Sequence, residues 1–192
     1  MVKDAEIFAF LAEKQSFSKL YQKYKTLKPS RVKNMLIAAS KKISSKCPAL
    51  GAHGVVECFV DGAAAPNPGP AGAGAVLIRD SMVITEISRY LGIKTNNQAE
   101  YSALILALEE AAKIKEDFSS LRVYSDSLLM VNQINGLWRV KDAGIAALLF
   151  QVKNKIEIIK SKKNASLSFT HIVRSKNKTA DALSVLAIKS KN

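Results

Sequence analysis

Apolar side chains recur every three to four positions through the first 46 residues, which is the spacing of one face of an α-helix. Three such stripes occur, over positions 7–11, 17–24 and 32–43. Pro29 and Ser30 are suited to begin the third helix. Proline and glycine interrupt the periodicity over positions 47–54. The pattern therefore predicts a small all-α unit of three helices over residues 1–46, followed by a linker at 47–54.

From position 55 the apolar residues alternate or run continuously, as they do in strands, and then return to helical spacing. The pattern predicts strands at 55–60, 72–79, 83–91, 121–125 and 167–173, and helices at 97–115, 127–135, 143–160 and 178–188. The residues Asp80 and Ser81 suit a tight hairpin turn between the second and third strands. This order predicts an α/β domain over residues 55–192, with a mixed five-stranded sheet flanked by helices.

The composition is that of a globular protein, because 48% of the residues are hydrophobic and 23% are charged. It excludes a disordered tail or a fibre. No apolar run approaches the ~20 residues that a membrane-spanning helix needs, and the first residues do not resemble a secretion signal. We therefore expect a cytoplasmic protein without membrane contact, in which Cys47 and Cys58 are reduced thiols.

Basic residues are in large excess, and the excess is concentrated near the N-terminus. The formal net charge is +13, and residues 1–50 contain eleven basic and three acidic side chains. Such an excess attracts polyanions, most often nucleic acid. The candidate phosphate contacts in the helical unit are Lys19, Lys23, Lys25, Lys28 and Lys33. The alternative is a packing or protein-binding role, since short helical hairpins are common for packing reasons alone.

Four acidic residues occupy positions from which they can meet at one edge of the predicted sheet. Asp61 and Asp126 end the first and fourth predicted strands. Glu100 and Asp181 lie in the first turns of the predicted helices 97–115 and 178–188. Four clustered carboxylates repel one another unless a divalent cation neutralises them. All-oxygen ligands favour Mg²⁺ or Mn²⁺, and two such ions suit in-line phosphoryl displacement. Taken singly, each residue could instead be a solvated carboxylate or a helix cap.

The neighbours of these carboxylates form four motifs that resemble those of type 1 ribonuclease H. The motifs cover positions 59–74, 95–101, 124–127 and 174–183, and the resemblance extends over residues 55 to about 188 in the family's order. The segment 135–142 is too short to be the basic protrusion of many bacterial relatives. The chain therefore resembles the compact archaeal and plant-like branch, with an additional N-terminal helical unit. In this segment Trp138 either stacks on the nucleic acid or belongs to the core.

The resemblance implies an endoribonuclease that hydrolyses the RNA strand of RNA–DNA hybrids by a two-metal mechanism, leaving 5′-phosphate and 3′-hydroxyl ends. It implies that Asp61, Glu100, Asp126 and Asp181 hold two Mg²⁺ ions, for which Mn²⁺ is a possible substitute. Asp61 would bridge both ions. The auxiliary residue that assists product release would be Arg174, with His171 as the alternative.

The resemblance also implies a set of residues that hold the substrate, and the RNA–DNA hybrid is the expected partner. These residues are Gly62, Asn67, Thr95, Asn96 and Asn97. A structural role is open for two of them, because Asn67 suits a turn and Asn97 suits a helix N-cap. RNA would be selected through its 2′-hydroxyl, which both donates and accepts hydrogen bonds. We expect a monomer, and the sequence leaves protein partners open.

Two other functions remain open at this point. One is a non-catalytic nucleic-acid-binding protein on a ribonuclease H-like fold, and the other is a related nuclease with a different substrate, such as a junction resolvase. The retention of all four carboxylates argues against the first, and the Asp61-Gly62 motif argues against the second.

Overall fold

A computed structural model describes residues 6–7, 17–32, 34 and 54–190 of the chain. The chain divides into two compact units, Met1–Leu50 and Gly51–Asn192. In the first unit, three segments have helical residues: 6–7, Phe17–Lys23 (α1), and 29–32 together with 34. A small core buries the apolar residues Ile7, Leu20, Leu27 and Val32. The remaining predicted helical positions, Cys47 and most of the predicted linker lie outside the described residues.

The second unit contains five strands and four helices in the predicted order. The strands are β1 (Gly54–Ala64), β2 (Gly69–Arg79), β3 (Met82–Lys94), β4 (Phe118–Ser125) and β5 (Ser166–His171). The helices are α2 (Asn96–Lys113), α3 (Leu128–Ile134), α4 (Ala143–Lys163) and α5 (Lys178–Ser190). No helix of the described part is long and apolar enough to span a membrane.

The sheet has the order β3-β2-β1-β4-β5, which confirms the predicted mixed sheet. Strands β1, β2 and β3 are joined by antiparallel pairing, whereas β4 lies parallel to both β1 and β5. Alternate side chains of a strand point to opposite faces, so Val56, Cys58 and Val60 enter the core on one face of β1. Tyr101 and Leu104 of α2 belong to the same core. Helix α5 contacts β1, β2 and β3.

The bounds of several elements differ from those predicted. Strand β1 begins at Gly54, which was assigned to the linker, and continues to Ala64 because Ala71 of β2 pairs with that residue. Helix α4 continues to Lys163, where Asn164 ends it in the left-handed conformation at φ 50°. The predicted hairpin is confirmed: Asp80 and Ser81 have φ of 52° and 63°, as a two-residue turn between twisted strands requires.

Candidate active site

Three of the four predicted carboxylates converge at the centre of the sheet. Val60 of β1 pairs with Ser125 of β4, so the residues that follow them, Asp61 and Asp126, are neighbours. Glu100 lies on α2, and this helix packs against β1. Carboxylate oxygens of Asp61, Glu100 and Asp126 lie within 4.8 Å of one another.

Two details of this placement differ from the prediction. Asp61 lies inside β1 and not at its end, because β2 continues to pair with β1 beyond it. Glu100 is the fifth residue of α2 and lies beyond the first turn, because the helix begins at Asn96. The first turn of α2 contains no acidic residue.

The close approach of β1 to α2 fixes the position of Glu100. A Cβ atom added to Gly62 would lie 2.1 Å from the backbone carbon of Ala99 and the backbone nitrogen of Glu100. The backbone N–H of Gly62 donates a hydrogen bond to the Glu100 carboxylate. The other oxygen, Oε2, is buried and has no hydrogen-bond partner among the described residues. An unpartnered buried oxygen is costly, and it fits a site in which a cation completes the bonding.

The raised pKa values of two of these carboxyl groups also indicate a cation-binding site. Burial raises the pKa of Asp61 from 3.8 to about 6; a hydrogen bond from Ser184 opposes this rise, whereas the charge of Asp126 adds to it. Burial, followed by the charges of Asp61 and Asp126, raises the pKa of Glu100 well above its ordinary value. Like charges held together away from water require either protons or cations. The cluster can therefore hold a divalent cation through hard oxygen ligands.

The fourth carboxylate, Asp181, lies in the first turn of α5 as predicted, but it is paired with an arginine. Arg174 donates from Nη2 to Oδ1 of Asp181, and the arginine side chain is 75% exposed. Asp181 is not part of the group of three described carboxylates that lie within 4.8 Å of one another. His171 is exposed at the end of β5, where it pairs with Ser125.

Two buried polar residues support the carboxylates and were not identified as site residues from the sequence. Asn177 donates from Nδ2 to the backbone oxygen of Val60 at 2.9 Å and to Oδ1 of Asp126 at 2.7 Å. Ser184 donates to Oδ2 of Asp61. Both lie close to Asp181 in the chain, so a search for polar residues within one helical turn of each carboxylate would have found them.

Two of the expected substrate-binding residues, Asn67 and Asn96, join the β1–β2 connection to the first turn of α2. Asn67 Oδ1 accepts a hydrogen bond from the Asn96 backbone at 3.0 Å, and Asn96 Oδ1 accepts one from the Ala64 backbone at 2.7 Å. Both asparagine side chains are exposed. Since their oxygens accept hydrogen bonds from the backbone, their amide N–H groups are the parts that can donate to a ligand.

Thr95 is the N-cap of α2, so the alternative role of Asn97 as the cap of this helix is wrong. The Thr95 hydroxyl accepts a hydrogen bond from the backbone of Gln98, whose side chain accepts one from the backbone of Thr95, so a capping box is present. Asn97 is exposed instead, and it lines two cavities of about 400 and 380 Å³. Trp138 lines the larger one and is 48% exposed, so it does not belong to the core.

The candidate lysines of the N-terminal unit are described only in part. Lys23, Lys25 and Lys28 have exposed side chains. The side chains of Lys19 and Lys33 lie outside the described residues.

The sheet order and the acidic cluster together define a ribonuclease H-like fold with a candidate cation-binding centre on its middle strand. A family model described as "Reverse transcriptase-like" matches residues 59–187. A relative from Halobacterium salinarum, named Ribonuclease HI, is 37% identical over 131 residues. The chain belongs to the type 1 ribonuclease H family, as its four motifs indicated.

Solved structures of relatives share the fold. The crystal structure of RNase H1 from Halobacterium salinarum has a TM-score of 0.65 and 36% identity, covering 71% of this chain and 99% of that one. LC11-RNase H1, solved in complex with an RNA/DNA hybrid, has a TM-score of 0.63 and 37% identity, covering 71% and 98%.

The curated relatives are longer than the matched region. The match covers 68% of this chain but 62% of the Halobacterium protein. A protein from Mycobacterium tuberculosis, named Bifunctional protein Rv2228c, is 34% identical over 64% of this chain and 32% of its own length. The chain thus spans less than two thirds of the length of these relatives.

Proposed function

We propose that this protein is an endoribonuclease that hydrolyses the RNA strand of RNA–DNA hybrids and leaves 5′-phosphate and 3′-hydroxyl ends. The observation that carries the proposal is the convergence of Asp61, Glu100 and Asp126 within 4.8 Å. Family membership and the solved complex of a relative with an RNA/DNA hybrid support the choice of substrate.

Two Mg²⁺ ions are the proposed cofactors, with Mn²⁺ as a substitute. Asp61, Glu100 and Asp126 would hold them together with Asp181, and the buried, unpartnered Oε2 of Glu100 fits such a ligand. Bound Mg²⁺ would supply charge for the scissile phosphate and would lower the pKa of bound water. Asp61, whose side chain is only 5% exposed, would be the ligand shared by both ions.

Arg174 is the proposed auxiliary residue for product release. Its guanidinium contacts Asp181 and is otherwise open to solvent. It can therefore meet an anionic product at the margin of the site while it orients the fourth carboxylate. His171 is the alternative for this role, but Arg174 is favoured because it contacts a carboxylate directly.

The β1–β2 connection, with Asn67, and the start of α2, with Thr95, Asn96 and Asn97, form the proposed binding site for the hybrid. Amide donors and a threonine hydroxyl suit phosphate oxygens. Gly62 brings backbone close to Glu100, where the 2′-hydroxyl of the RNA would be recognised. The basic N-terminal unit is proposed to add phosphate contacts. A cytoplasmic location and a monomeric state remain predictions.

The direct test is cleavage of end-labelled RNA–DNA hybrid with Mg²⁺, beside single-stranded RNA and duplex DNA. We expect cleavage of the hybrid alone, and loss of at least a hundredfold in rate for Asp126→Asn, which preserves size but removes a ligand charge. Hybrid binding should persist.

The matched control for this test is Asp80→Asn. Asp80 is an exposed carboxylate in the β2–β3 turn with φ 52°, a conformation that asparagine tolerates. Its cleavage rate should equal that of the unaltered chain. Cleavage by Asp126→Asn within tenfold of the unaltered rate would reject the carboxylate site, and hybrid binding without any cleavage would indicate the non-catalytic binding function.

A further inference from the structure

Ser184 is a buried hydroxyl in contact with the central carboxylate, and it lies on a different element from that carboxylate. It belongs to α5 and is 0% exposed, whereas Asp61 belongs to β1. Its Oγ donates to Oδ2 of Asp61 and also lies 2.8 Å from the backbone oxygen of Asp181. The hydroxyl thus connects Asp61, the proposed shared ligand of the two ions, to the turn of α5 that contains Asp181.

The choice between these two acceptors follows from charge. A serine within a helix often bonds the carbonyl three or four residues earlier, which here is that of Asp181. A hydroxyl has only one hydrogen, and an ionised carboxylate is the stronger acceptor, by roughly a factor of two. The hydrogen therefore points to Asp61. A carboxylate has about four lone-pair positions, so this bond orients Asp61 and leaves the remaining positions available to cations.

The packing of α5 against β2 is built to bring Ser184 this close. Gly74 pairs with Asp61 across the sheet. A Cβ on Gly74 would lie 2.1 Å from the backbone oxygen of Ala180 and 2.5 Å from the backbone nitrogen of Ser184. A Cβ on Gly72 would lie 2.2 Å from the backbone oxygen of Ser184. Two positions without side chains thus let the helix lie directly on the strand beside Asp61.

We propose that Ser184 is a positioning residue that holds the Asp61 carboxylate in the orientation in which it binds the metal ions. The inference rests on the proposed function, because it assigns Asp61 to cation binding. Hydrogen-bond partners of ligating carboxylates orient them, and their loss typically lowers metal affinity or activity by about 10- to 100-fold.

The test compares Ser184→Ala with the unaltered chain, using Mn²⁺ and Mg²⁺ as probes. The dissociation constant of each ion is measured on the free protein by calorimetry, and for Mn²⁺ also by electron paramagnetic resonance. We expect the variant to bind both ions at least tenfold more weakly, to show a lower kcat at fixed metal concentration, and to keep the KM for the hybrid. Alanine is a strong helix former, and unfolding in a chelator verifies that the variant is folded.

Ser190→Ala is the matched control. Ser190 lies on the same helix, but within the part of the chain that the structure describes its hydroxyl bonds only carbonyl oxygens of the helix itself, those of Leu186 and Ala187. Its removal should leave both metal affinities unchanged.

The outcomes separate this inference from the proposed function. An unaltered chain that neither binds the ions nor cuts the hybrid would reject the proposed function. An unaltered chain that does both, with Ser184→Ala binding the ions equally well, would reject the positioning role alone. A rise in the KM of Ser184→Ala with unchanged metal affinity would also reject it.

Discussion

Asp61 is an acid that the fold makes difficult to ionise without a cation. Its pKa of about 6 lies above the ordinary value of 3.8 because the side chain is buried and has Asp126 and Asp181 as neighbours. A carboxyl with a higher pKa in the folded state binds more protons when folded than when unfolded. The free energy of unfolding therefore decreases as the pH rises from about 4 to 6.

Asp61→Asn should accordingly raise stability at neutral pH in a chelator. One pKa unit corresponds to ~1.4 kcal/mol, so the difference between 3.8 and about 6 leads us to expect a gain of about 3 kcal/mol at pH 7, or roughly 6–12 °C in Tm for a chain of this size. The gain should decrease as the pH falls from about 6 to 4 and disappear below about 4, where Asp61 becomes protonated in the unfolded state as well. Thermal unfolding across this pH range is the measurement. A Tm at pH 7 equal to that of the unaltered chain would contradict the raised pKa.

Thr95 has two roles at the residue scale, and stability and the KM for the hybrid report on them separately. Thr95→Ala removes the cap of α2, at a cost of about 1 kcal/mol, and also removes the hydroxyl proposed to meet a phosphate. We expect a higher KM for the hybrid with little change in kcat. Thr95→Ser keeps the hydroxyl and should keep both stability and KM. A fall in kcat with unchanged KM would mean that the cap acts through Glu100 on the same helix.

The contact between β1 and α2 is the most sensitive feature at the scale of elements. Gly62→Ala would place a methyl group 2.1 Å from the backbone of Ala99 and Glu100. Backbone atoms cannot relieve this clash by a change of side-chain rotamer. We expect α2 to shift, with a loss of about 3 kcal/mol or more and at least a tenfold loss of cleavage rate. Chemical denaturation and the cleavage assay measure the two effects.

Gly144→Ala is the control for that substitution. Gly144 lies in α4, and its added Cβ would approach only side chains, the nearer being Asp142 at 3.1 Å. Alanine is the better helix former, so stability should be unchanged or increased. Equal losses for Gly62→Ala and Gly144→Ala would mean that the close approach does not matter.

The order and type of the elements of the second unit could be predicted from the sequence, because each has a clear period of apolar residues. The bounds could not, because they depend on partners: β1 extends past Asp61 only because β2 pairs with it. The carboxylates were recognisable from their motifs. The contacts of Asn177 and Ser184 were not, since both join elements that are distant in the chain.

At the scale of the whole molecule, the N-terminal unit should strengthen binding of the hybrid. A variant in which Lys23, Lys25 and Lys28 become glutamine loses three exposed charges. The slope of log K against log salt changes by roughly 0.9 per phosphate contact on a duplex. We therefore expect the slope of the variant to be shallower by up to about 3, with kcat unchanged at saturating hybrid.

A variant with the same loss of charge in the second unit is the control. It carries glutamine at three exposed positions of α4, namely Lys153, Lys160 and Lys162. Identical salt slopes for the two triple variants would reject a specific role of the N-terminal unit. A chain beginning at Gly51, the first residue of the second unit, should cut the hybrid with the same kcat but bind it more weakly.

The position of β1 between β2 and β4 has a consequence for how the site fluctuates. A strand with neighbours on both sides opens only when the sheet itself opens, whereas chain ends and exposed segments open locally at a small free energy. We therefore expect the backbone around Asp61 to open only when the whole domain unfolds. Asp181 lies in the first turn of α5, and its partner Arg174, which precedes that helix, is 75% exposed, so this end of the helix can open locally. The carboxylates of the site are thus held with unequal persistence, more firmly on β1 than at the first turn of α5.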